Sequence, residues 1–356
     1  MDVMAAAVEA LRQLPDVQVG EPMAAPSVGA PQADYLISGK VRHQSVYFIV
    51  ECKPYGHPRD IEQAIVQLRM ASEHWRIEDE CTIVVPMVVA PALSQGSRAL
   101  LRHDHVAYSD SGGSVYLEVP SAYYLVDKPS PKVSTPGLRH PFRGKATQVL
   151  HALLLDATHS WHIVDIASRA EVQPSTAHRV CKWLEDQLWM ESTGSGPRTV
   201  RRLVQPAALL EAMAKAHSQT RYTVRRYHRW TQGDLALIDI VSDALDAANI
   251  AHAFTLASGA RFVAPHATDT GRAWVILGAG DLVRADAALT ARGFGQVETG
   301  EAITVLGSFE RAPLMFRQRV AGHWVASDVQ LYIDLCAWPQ RGKAQAEHLR
   351  AERLAY

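Results

Sequence analysis

Residues Ala146–Gln205 have the sequence ATQVLHALLLDATHSWHIVDIASRAEVQPSTAHRVCKWLEDQLWMESTGSGPRTVRRLVQ, and this stretch decides how the chain is organised. Apolar residues recur at helical spacing at its start, which predicts a first helix with one buried face. A short apolar run, Ser160–Val164, predicts a brief strand, and Asp165 is the expected N-cap of a second helix, Ile166–Ala170. Pro174 begins a third helix, because the first helical residue needs no partner for its N–H.

The helix that begins at Pro174 carries apolar and polar side chains on opposite faces. The apolar face consists of Ala177, Val180, Cys181 and Leu184. The polar face consists of Ser175, Thr176, His178, Arg179 and Lys182. A recognition helix packs its apolar side on the preceding helices and places its N-terminal polar side in the DNA major groove. Hydroxyl groups bind phosphates or bases there, and arginine pairs bidentately with guanine.

A β-hairpin is predicted to follow this helix. Leu188–Thr193 and Val200–Val204 have strand patterns, and a Gly-Ser-Gly-Pro turn separates them. Arg198, Arg201 and Arg202 are expected to meet the phosphate backbone, whose contacts position a protein without specifying sequence. Three helices and a hairpin predict a winged helix-turn-helix that binds DNA. The alternative is a small helical domain that docks protein.

This module resembles the winged-helix domains of bacterial transcription regulators. The resemblance is carried by ATQVLHALL at 146–154 and IVDIASRAEVQPSTAHRVCKWLEDQLWMES at 163–192. It implies DNA as the partner, and a homodimer that matches two half-sites.

Composition limits what the whole chain can be. Its 356 residues allow two or three domains, and 47% hydrophobic residues are enough for real cores. The formal net charge of -1 means that DNA affinity must come from local basic patches. The four cysteines, Cys52, Cys81, Cys181 and Cys336, are scattered, which favours neither a zinc site nor a disulfide framework. Without a P-loop, a signal peptide or a membrane-spanning run, we expect a cytoplasmic protein with no nucleotide cofactor.

The N-terminal region alternates predicted helices and strands. Helices are predicted at 2–13, 59–75 and 91–103, and strands at 33–40, 46–53, 81–90, 105–109 and 115–119. The first long strand begins with the acid Asp34, and the second ends in Glu51-Cys52-Lys53. Glu51 and Lys53 share one strand face because side chains alternate, and Asp34 on the neighbouring strand can reach that face. Two carboxylates and a main-chain carbonyl form an oxygen site suited to Mg²⁺.

This order of elements, with an acid and a Glu-x-Lys triplet on a hairpin before a helix, resembles the PD-(D/E)XK nuclease fold. That fold occurs in restriction enzymes and Holliday-junction resolvases. The resemblance implies that Asp34 and Glu51 bind Mg²⁺ together with the carbonyl of Cys52. It also implies that Lys53 orients or activates the attacking water, while the metal neutralises charge on the phosphate.

Three further residues match positions that some members of this nuclease group use. Glu9, on the first helix, corresponds to an additional acidic metal ligand, and Gln63 or Gln67 would lie near the catalytic site as in resolvase-like members; we take Gln67 as the catalytic-site candidate. In the competing interpretation, the fold is kept for binding or dimerisation, and Glu51 and Lys53 form an ordinary ion pair at a strand end.

Composition shifts divide the chain into domains. We predict a nuclease-like α/β domain at 1–127, a polar proline-rich linker at 128–145, the winged helix at 146–218 and an α+β domain of unknown role at 219–356. The basic and aromatic segment 221–230 is expected to be a strand with solvated arginines rather than a DNA contact.

No sequence motif in the α+β domain indicates a chemical activity. Helices are predicted at 233–249, 281–292, 329–336 and 341–354, and strands at 254–263, 272–277, 303–306, 314–316 and 324–326. Its last part, ASDVQLYIDLCAWPQRGKAQAEHLRAERL at 326–354, resembles the end of AbiEi-type regulators of type IV toxin–antitoxin systems. The matching residues are Gln330, Leu331, Tyr332, Asp334, Leu335, Arg341 and Gly342. Gln330 and Arg341 are expected to fix a helical corner by hydrogen bonds.

Two functions remain open on the sequence. The first is a DNA-binding protein whose nuclease domain hydrolyses a phosphodiester with Mg²⁺, as an endodeoxyribonuclease guided by the winged helix. The alternative is a transcriptional regulator or antitoxin of a type IV toxin–antitoxin-like system, whose nuclease fold does not cleave.

Overall fold

The chain is a mixed α/β protein, as predicted. The computed structural model describes residues 3–25, 33–74, 82–129, 141–218, 222–230, 234–266, 272–338 and 342–356. Contacts between residues divide the chain into two compact units. The first contains Met1–Gly137 and Trp183–Leu188, and the second contains Leu138–Lys182 and Trp189–Tyr356. Part of the predicted linker and Arg341 lie outside the described residues.

The first unit contains one large sheet and three helices among its described residues. In chain order its elements are α1 Val3–Arg12, β1 Val17–Val19, β2 Met23–Ala24, β3 Tyr35–Val41, β4 Gln44–Cys52, α2 Pro58–His74, β5 Thr82–Ala90, α3 Gln95–His103, β6 Ala107–Asp110, β7 Val115–Val119 and β8 Ala122–Val126. The strand order is β1-β3-β4-β5-β6-β7-β8, with β2 paired to β3. β4, β5 and β6 are parallel, whereas β3 and β7 run antiparallel to their neighbours. The three predicted helices and five predicted strands are confirmed, and β1, β2 and β8 are additional.

The two faces of this sheet are covered by different helices. On one face, Phe48 and Val50 of β4 pack in a core with residues of α1. On the other face, Ile49 packs in a core with residues of α2. Because side chains alternate along a strand, Glu51 lies on the same face as Ile49 and Cys52 lies on the same face as Val50. The strand parity of β4 therefore directs Glu51 towards α2.

The middle of the chain folds into helices and a small three-stranded sheet. Its elements are α4 Lys145–Leu154, β9 Ser160–Trp161, α5 Ile163–Arg169, α6 Pro174–Asp186, β10 Met190–Thr193, β11 Val200–Leu203 and α7 Pro206–His217. The strand order is β10-β11-β9. The predicted brief strand at 160–164 is present but ends at Trp161, and the predicted helix start at 166 is wrong. β9 has two residues, and α5 begins earlier with His162 as its N-cap, so that Asp165 lies in the first turn. An acid in the first turn interacts favourably with the helix dipole, and this placement explains the acid without a capping role.

The C-terminal segment contains a seven-stranded sheet flanked by helices. Its elements are β12 Thr223–His228, α8 Asp234–Ala247, β13 His252–Phe254, α9 Leu256–Val263, β14 Ala273–Gly278, α10 Leu282–Thr290, β15 Gly295–Gln296, β16 Ile303–Ser308, α11 Ala312–Met315, β17 Gln318–Val320, β18 His323–Val325, α12 Asp328–Ala337 and α13 Gly342–Leu349. The strand order is β15-β12-β16-β14-β13-β18-β17. β14 and β16 are parallel neighbours at its centre. The segment 221–230 contributes strand β12, as predicted.

Two predicted strands of this segment are helices. The run 254–263 forms α9 because Gly259 permits close packing: a Cβ there would lie 2.5 Å from both the Phe254 carbonyl oxygen and Leu331 Cδ2. The run 314–316 lies largely within α11, where Pro313 occupies the first turn and favours a helix start. Ser327 caps α12 as predicted, and its side chain accepts a hydrogen bond from the Gln330 N–H.

Within the second unit, the middle elements pack against the C-terminal segment. The Gly144 N–H donates to Glu310 Oε2 at 2.8 Å, at the start of α4. Tyr356 donates its hydroxyl to the carbonyl of Leu154, at the end of the same helix. The imidazole of His151, between these two points, stacks on Phe316 with ring centroids 6.1 Å apart. Helix α4 is therefore held along its length by the C-terminal segment.

Candidate active site and nucleic-acid interface

The β3–β4 hairpin fixes Asp34 beside the end of β4. The Asp34 N–H donates to the Val50 carbonyl at 2.9 Å, which continues the antiparallel ladder by one residue. The carboxylate of Asp34 then accepts a hydrogen bond from the Cys52 N–H, 2.7 Å from Oδ2. The position of this exposed acid is thus set by two hydrogen bonds to the backbone of β4, one from its own N–H and one to its carboxylate.

Lys53 connects the end of β4 to helix α2. Its Nζ lies 2.8 Å from Glu51 Oε1 and 2.8 Å from Gln67 Oε1. Its backbone N–H donates to the Val89 carbonyl at 2.9 Å, so the strand pairing continues through this residue. We call Asp34, Glu51, Lys53 and Gln67 the Glu51 cluster. The structure brings together the four predicted catalytic residues.

Glu51 is the most buried carboxylate of this cluster, with a side chain that is 10% exposed. Burial raises the pKa of Glu51, the hydrogen bond and charge of Lys53 lower it, and the nearby charge of Asp34 raises it. The direction of this shift means that burial outweighs the ion pair. Carboxyl groups whose pKa is shifted by burial and by a neighbouring charge are found most often at functional sites.

The two carboxylates of the Glu51 cluster each keep one oxygen available. Cys52 occupies Asp34 Oδ2 and Lys53 occupies Glu51 Oε1, and among the described residues no further hydrogen bond reaches Asp34 Oδ1 or Glu51 Oε2. Mg²⁺ in proteins is commonly held by one or two carboxylates and keeps several waters. Asp34 Oδ1 and Glu51 Oε2 are thus the two oxygens that would hold a magnesium ion, and the described residues contain no group of three acidic, histidine or cysteine side chains placed for a metal.

The structure does not bring Glu9 to this pair of carboxylates. Helix α1 packs through Met4 on the sheet face that carries Cys52, and the two sulfur atoms lie 3.9 Å apart. Glu51 occupies the opposite face. Glu9 itself is exposed, and its hydrogen-bond partner is Gln13 on the next turn. The third acidic ligand implied by the resemblance is thus separated from the cluster by the sheet.

Helix α6 has the two faces that its sequence predicts. Ala177, Val180, Cys181 and Leu184 are fully buried. Ser175, His178, Arg179 and Lys182 are exposed, and Thr176 is half-buried. The helix starts at Pro174 after a turn in which Glu171 has a φ of 50°. The predicted DNA-contacting side chains thus share one open surface.

The hairpin β10–β11 separates its arginines. Arg198 is exposed in the turn, next to Gly194 and Gly196, whose φ values of 93° and 59° suit glycine. Arg201 and Arg202 are adjacent on β11, so their side chains point to opposite faces. Arg202 is exposed, and its guanidinium lies 3.9 Å from Glu191 on β10, whereas Arg201 is half-buried. The prediction that Arg201 and Arg202 both meet the DNA backbone is therefore wrong for a single face of the hairpin, since only one of the two side chains can approach from that face.

A second carboxylate cluster lies in the C-terminal segment and was not predicted. Asp334 of α12 has a side chain that is 2% exposed. Its Oδ1 accepts from His217 Nε2 at 2.8 Å, from Gln330 Nε2 at 2.7 Å and from the Tyr222 hydroxyl at 3.2 Å. Its Oδ2 accepts from the Thr255 hydroxyl. We call these five residues the Asp334 cluster.

The side-chain amide of Gln330 donates to Asp334 on the same helix, and Arg341, its expected partner at the corner after α12, lies outside the described residues. Burial raises the pKa of Tyr222, so its hydroxyl stays a donor to Asp334. The sequence signal for this cluster is the match of Gln330 and Asp334 to the AbiEi-type ending, where they stand four residues apart on one helix face. The other partners come from α7, from the segment before β12 and from Thr255, and no local pattern connects them.

Comparison of the chain with models of protein families, with curated proteins and with solved structures gave no match. Among the described residues, no helix is long and apolar enough to cross a membrane.

Proposed function

We propose that this protein binds DNA and hydrolyses its phosphodiester bonds with Mg²⁺ at the Glu51 cluster. The observation that supports this proposal is the placement of Lys53. Its ammonium group contacts Glu51 and Gln67 at 2.8 Å each, beside the exposed carboxylate of Asp34. An acid at the start of one strand and a Glu-x-Lys end on its partner, facing a helix, agree with a restriction-endonuclease-like fold.

Each residue of the cluster has a distinct task in this proposal. Asp34 and Glu51 would hold the metal through Oδ1 and Oε2, the oxygens that other side chains leave available. The metal would supply an activated water and neutralise charge on the phosphate. Lys53 would orient the attacking water through its Nζ, and Gln67 would hold that amine in position.

The middle of the chain fits a winged helix-turn-helix in this proposal. The exposed polar side of α6 would enter the major groove, with Arg179 as the side chain able to pair with guanine. Arg198 and Arg202 would contact phosphates from the hairpin. Because the net charge of the chain is -1, this local surface has to supply the electrostatic attraction.

The proposed nuclease activity is tested with supercoiled plasmid and short duplexes in Mg²⁺ or Mn²⁺. We expect Lys53→Ala to lose cleavage by about 10²–10⁴-fold and to keep DNA binding, since Lys53 acts on the water rather than on affinity. Lys40→Ala is the matched control, because Lys40 is an exposed lysine on the same hairpin with no place in the cluster. Cleavage that Lys53→Ala leaves unchanged would contradict the proposed role.

A second candidate function is a transcriptional regulator or antitoxin of a type IV toxin–antitoxin-like system. The observation that favours it is that, among the residues the structure describes, the pair of carboxylates has no third acidic partner, and Lys53 is already held by Glu51 in an ion pair that needs no metal. Such a protein would bind its operator as a homodimer. Wild type that binds duplex, junction and single-stranded DNA but cuts none of them in either metal would favour this function.

Both functions require the surface of α6. We expect Arg179→Ala to weaken duplex binding by about 1–3 kcal/mol and to relax specificity at one base position. Arg292→Ala removes the same charge from an exposed site in the C-terminal segment and should leave binding unchanged. Fluorescence anisotropy at two salt concentrations measures both. Equal affinities for the two variants would mean that α6 does not face the DNA.

A further inference from the structure

A pocket of about 350 Å³ lies between helix α4 and the C-terminal segment, within the second unit. Its volume falls within the range of small-molecule sites, roughly 300–1,000 Å³. Its walls come from the start of α4, the end of α7, the loop after β16 and helix α12. None of the residues that line the pocket belongs to the Glu51 cluster or to the exposed face of α6.

His151 lines this pocket and has one ring nitrogen that is buried without a hydrogen-bond partner. The residue is 0% exposed and lines the pocket. Burial lowers the pKa of His151 to about 4, against weaker opposing effects of the Thr147 carbonyl and the Gln330 side chain, so the ring is neutral. Its Nδ1 lies 3.1 Å from the Thr147 carbonyl, which can only accept, so the proton is on Nδ1.

The other ring nitrogen of His151, Nε2, therefore carries a lone pair. Among the described residues, no hydrogen bond of normal geometry reaches it, and the hydroxyl of Thr147 is likewise buried without a partner. Leaving such buried atoms without a partner destabilises the folded state. A ligand with an O–H or N–H group at its inner end would satisfy Nε2.

The outer part of the pocket carries charges of both signs. Arg143 is exposed and Glu310 is half-buried at the pocket wall. Glu310 uses Oε2 to accept the Gly144 N–H, which leaves Oε1 for another donor. A ligand that matches this end needs an anionic group for Arg143 and a cationic group for Glu310. An α-amino acid carries both on one carbon atom.

The walls between the two ends carry apolar and polar side chains in similar measure. The apolar ones are Phe142, Phe309, Pro313 and Ile333, and the polar ones include His217, Tyr222 and Gln330 of the Asp334 cluster. Phe309 is 81% exposed, which is unusual for a side chain of this size and leaves its ring available to a bound aromatic group. The inner acceptor, the apolar side chains of the walls and the paired charges together describe one chemical class.

We propose that this pocket binds an aromatic α-amino acid with a hydrogen-bond donor at the tip of its ring, L-tyrosine or L-tryptophan. The phenol O–H or indole N–H donates to His151 Nε2, Arg143 binds the carboxylate, and Glu310 binds the ammonium group. Because the site joins α4 to the C-terminal segment, an occupied pocket stabilises the second unit by the ordinary linkage of ligand binding to folding.

The test is titration calorimetry and thermal unfolding of the full chain with L-tyrosine, L-tryptophan and L-phenylalanine. L-phenylalanine differs from L-tyrosine by the hydroxyl alone. We expect saturable binding of L-tyrosine or L-tryptophan with a raised melting temperature, and binding of L-phenylalanine that is weaker by on the order of tenfold or more, because it leaves Nε2 unsatisfied. Tyramine, which lacks the carboxylate, should also bind more weakly.

Two variants test the assigned contacts. His151→Phe removes the acceptor and keeps an aromatic ring, so the preference for L-tyrosine over L-phenylalanine should disappear. Glu310→Gln should weaken L-tyrosine and leave 3-(4-hydroxyphenyl)propionate, which has no ammonium group, unaffected. Should His151→Phe fail to fold, the comparison of L-tyrosine with L-phenylalanine on wild type decides the matter. Equal affinities for these two amino acids, or no binding of any of the three, would overturn the proposal.

Discussion

The two carboxylate clusters of this chain differ in how completely their oxygens are used. Asp334 is 2% exposed and accepts hydrogen bonds from four side chains. Asp34 is exposed and accepts one, from a backbone N–H, and Glu51 accepts one, from Lys53. A saturated carboxylate has no capacity for a ligand, whereas one with an available oxygen can bind a metal. The Asp334 cluster is therefore structural, and the Glu51 cluster is suited to chemistry.

The largest expected effect of this difference is on cleavage. Asp34→Ala should lower metal-dependent cleavage by at least about 10³-fold, since it removes one of the two proposed metal ligands, and a bound metal is worth several kcal/mol to the transition state. It should cost only about 1 kcal/mol of stability, because water can replace the lost hydrogen bond to the Cys52 N–H. Plasmid cleavage and urea unfolding measure the two quantities. A large loss of stability would place Asp34 with the structural cluster.

The reverse pattern is expected for Asp334→Ala. Removal of this acceptor leaves several buried donors without a partner, and we expect a loss of about 3–5 kcal/mol in the free energy of unfolding. Asp239→Ala, which breaks the ion pair of an exposed side chain with His323, should stay within about 0.5 kcal/mol. Urea unfolding followed by circular dichroism compares them. Similar losses in the free energy of unfolding for the two variants would contradict a structural role for the hydrogen bonds to Asp334.

The pH dependence of the free energy of unfolding of Glu51→Gln should show how much the buried charge of Glu51 destabilises the folded protein. Burial raises the pKa of Glu51, so its protonated form is favoured by folding. The stability that this shift contributes is complete below the pKa of the unfolded chain and is lost as pH rises through the raised pKa. Relative to wild type, the variant should therefore gain stability as the pH rises through the raised pKa of Glu51. Thermal unfolding across this rise in pH, with metal omitted, tests the sign, and a relative loss would contradict it.

The smallest expected effect is a difference in cleavage rate between alanine variants of two glutamines of α2. Gln67→Ala should lower cleavage by about three- to tenfold, equivalent to about one hydrogen bond, because its Oε1 holds Lys53 Nζ at 2.8 Å. Gln63→Ala, an exposed glutamine one turn earlier, should have no effect. Single-turnover cleavage rates compare the two. Equal losses would mean that Gln67 does not position Lys53.

Local patterns in the sequence were enough to predict the placement of Asp34, Glu51 and Lys53 and the two faces of α6. The alternation of β4 determines that Glu51 and Lys53 share a face, and the spacing of Ala177 and Val180 determines which side of α6 is buried. The choice of Gln67 over Gln63 depends on the angle at which α2 crosses the sheet. That angle is set by tertiary packing, which the periodicity of a single helix does not contain.

Distant contacts explain what the sequence analysis missed. Glu9 lies on the correct helix, but the side of the sheet that α1 covers is decided by packing around Met4 and Cys52. His217 and Asp334 are 117 positions apart, so no spacing rule connects them. The run 254–263 is predicted to be a strand, whereas Gly259 within it is a site of close packing against Leu331. In each case the deciding partner is remote in sequence.

The attachment of α4 to the C-terminal segment affects how this protein can be dissected. A fragment that ends near residue 218 would keep the exposed face of α6 but expose the buried side chains of Gln148 and His151 and release the contacts at Gly144 and Leu154. Such a fragment would present a new apolar surface and tend to self-associate. Studies of DNA recognition by this protein should therefore keep the C-terminal segment, and they should also keep the first unit, because that unit contains Trp183–Leu188 at the end of α6.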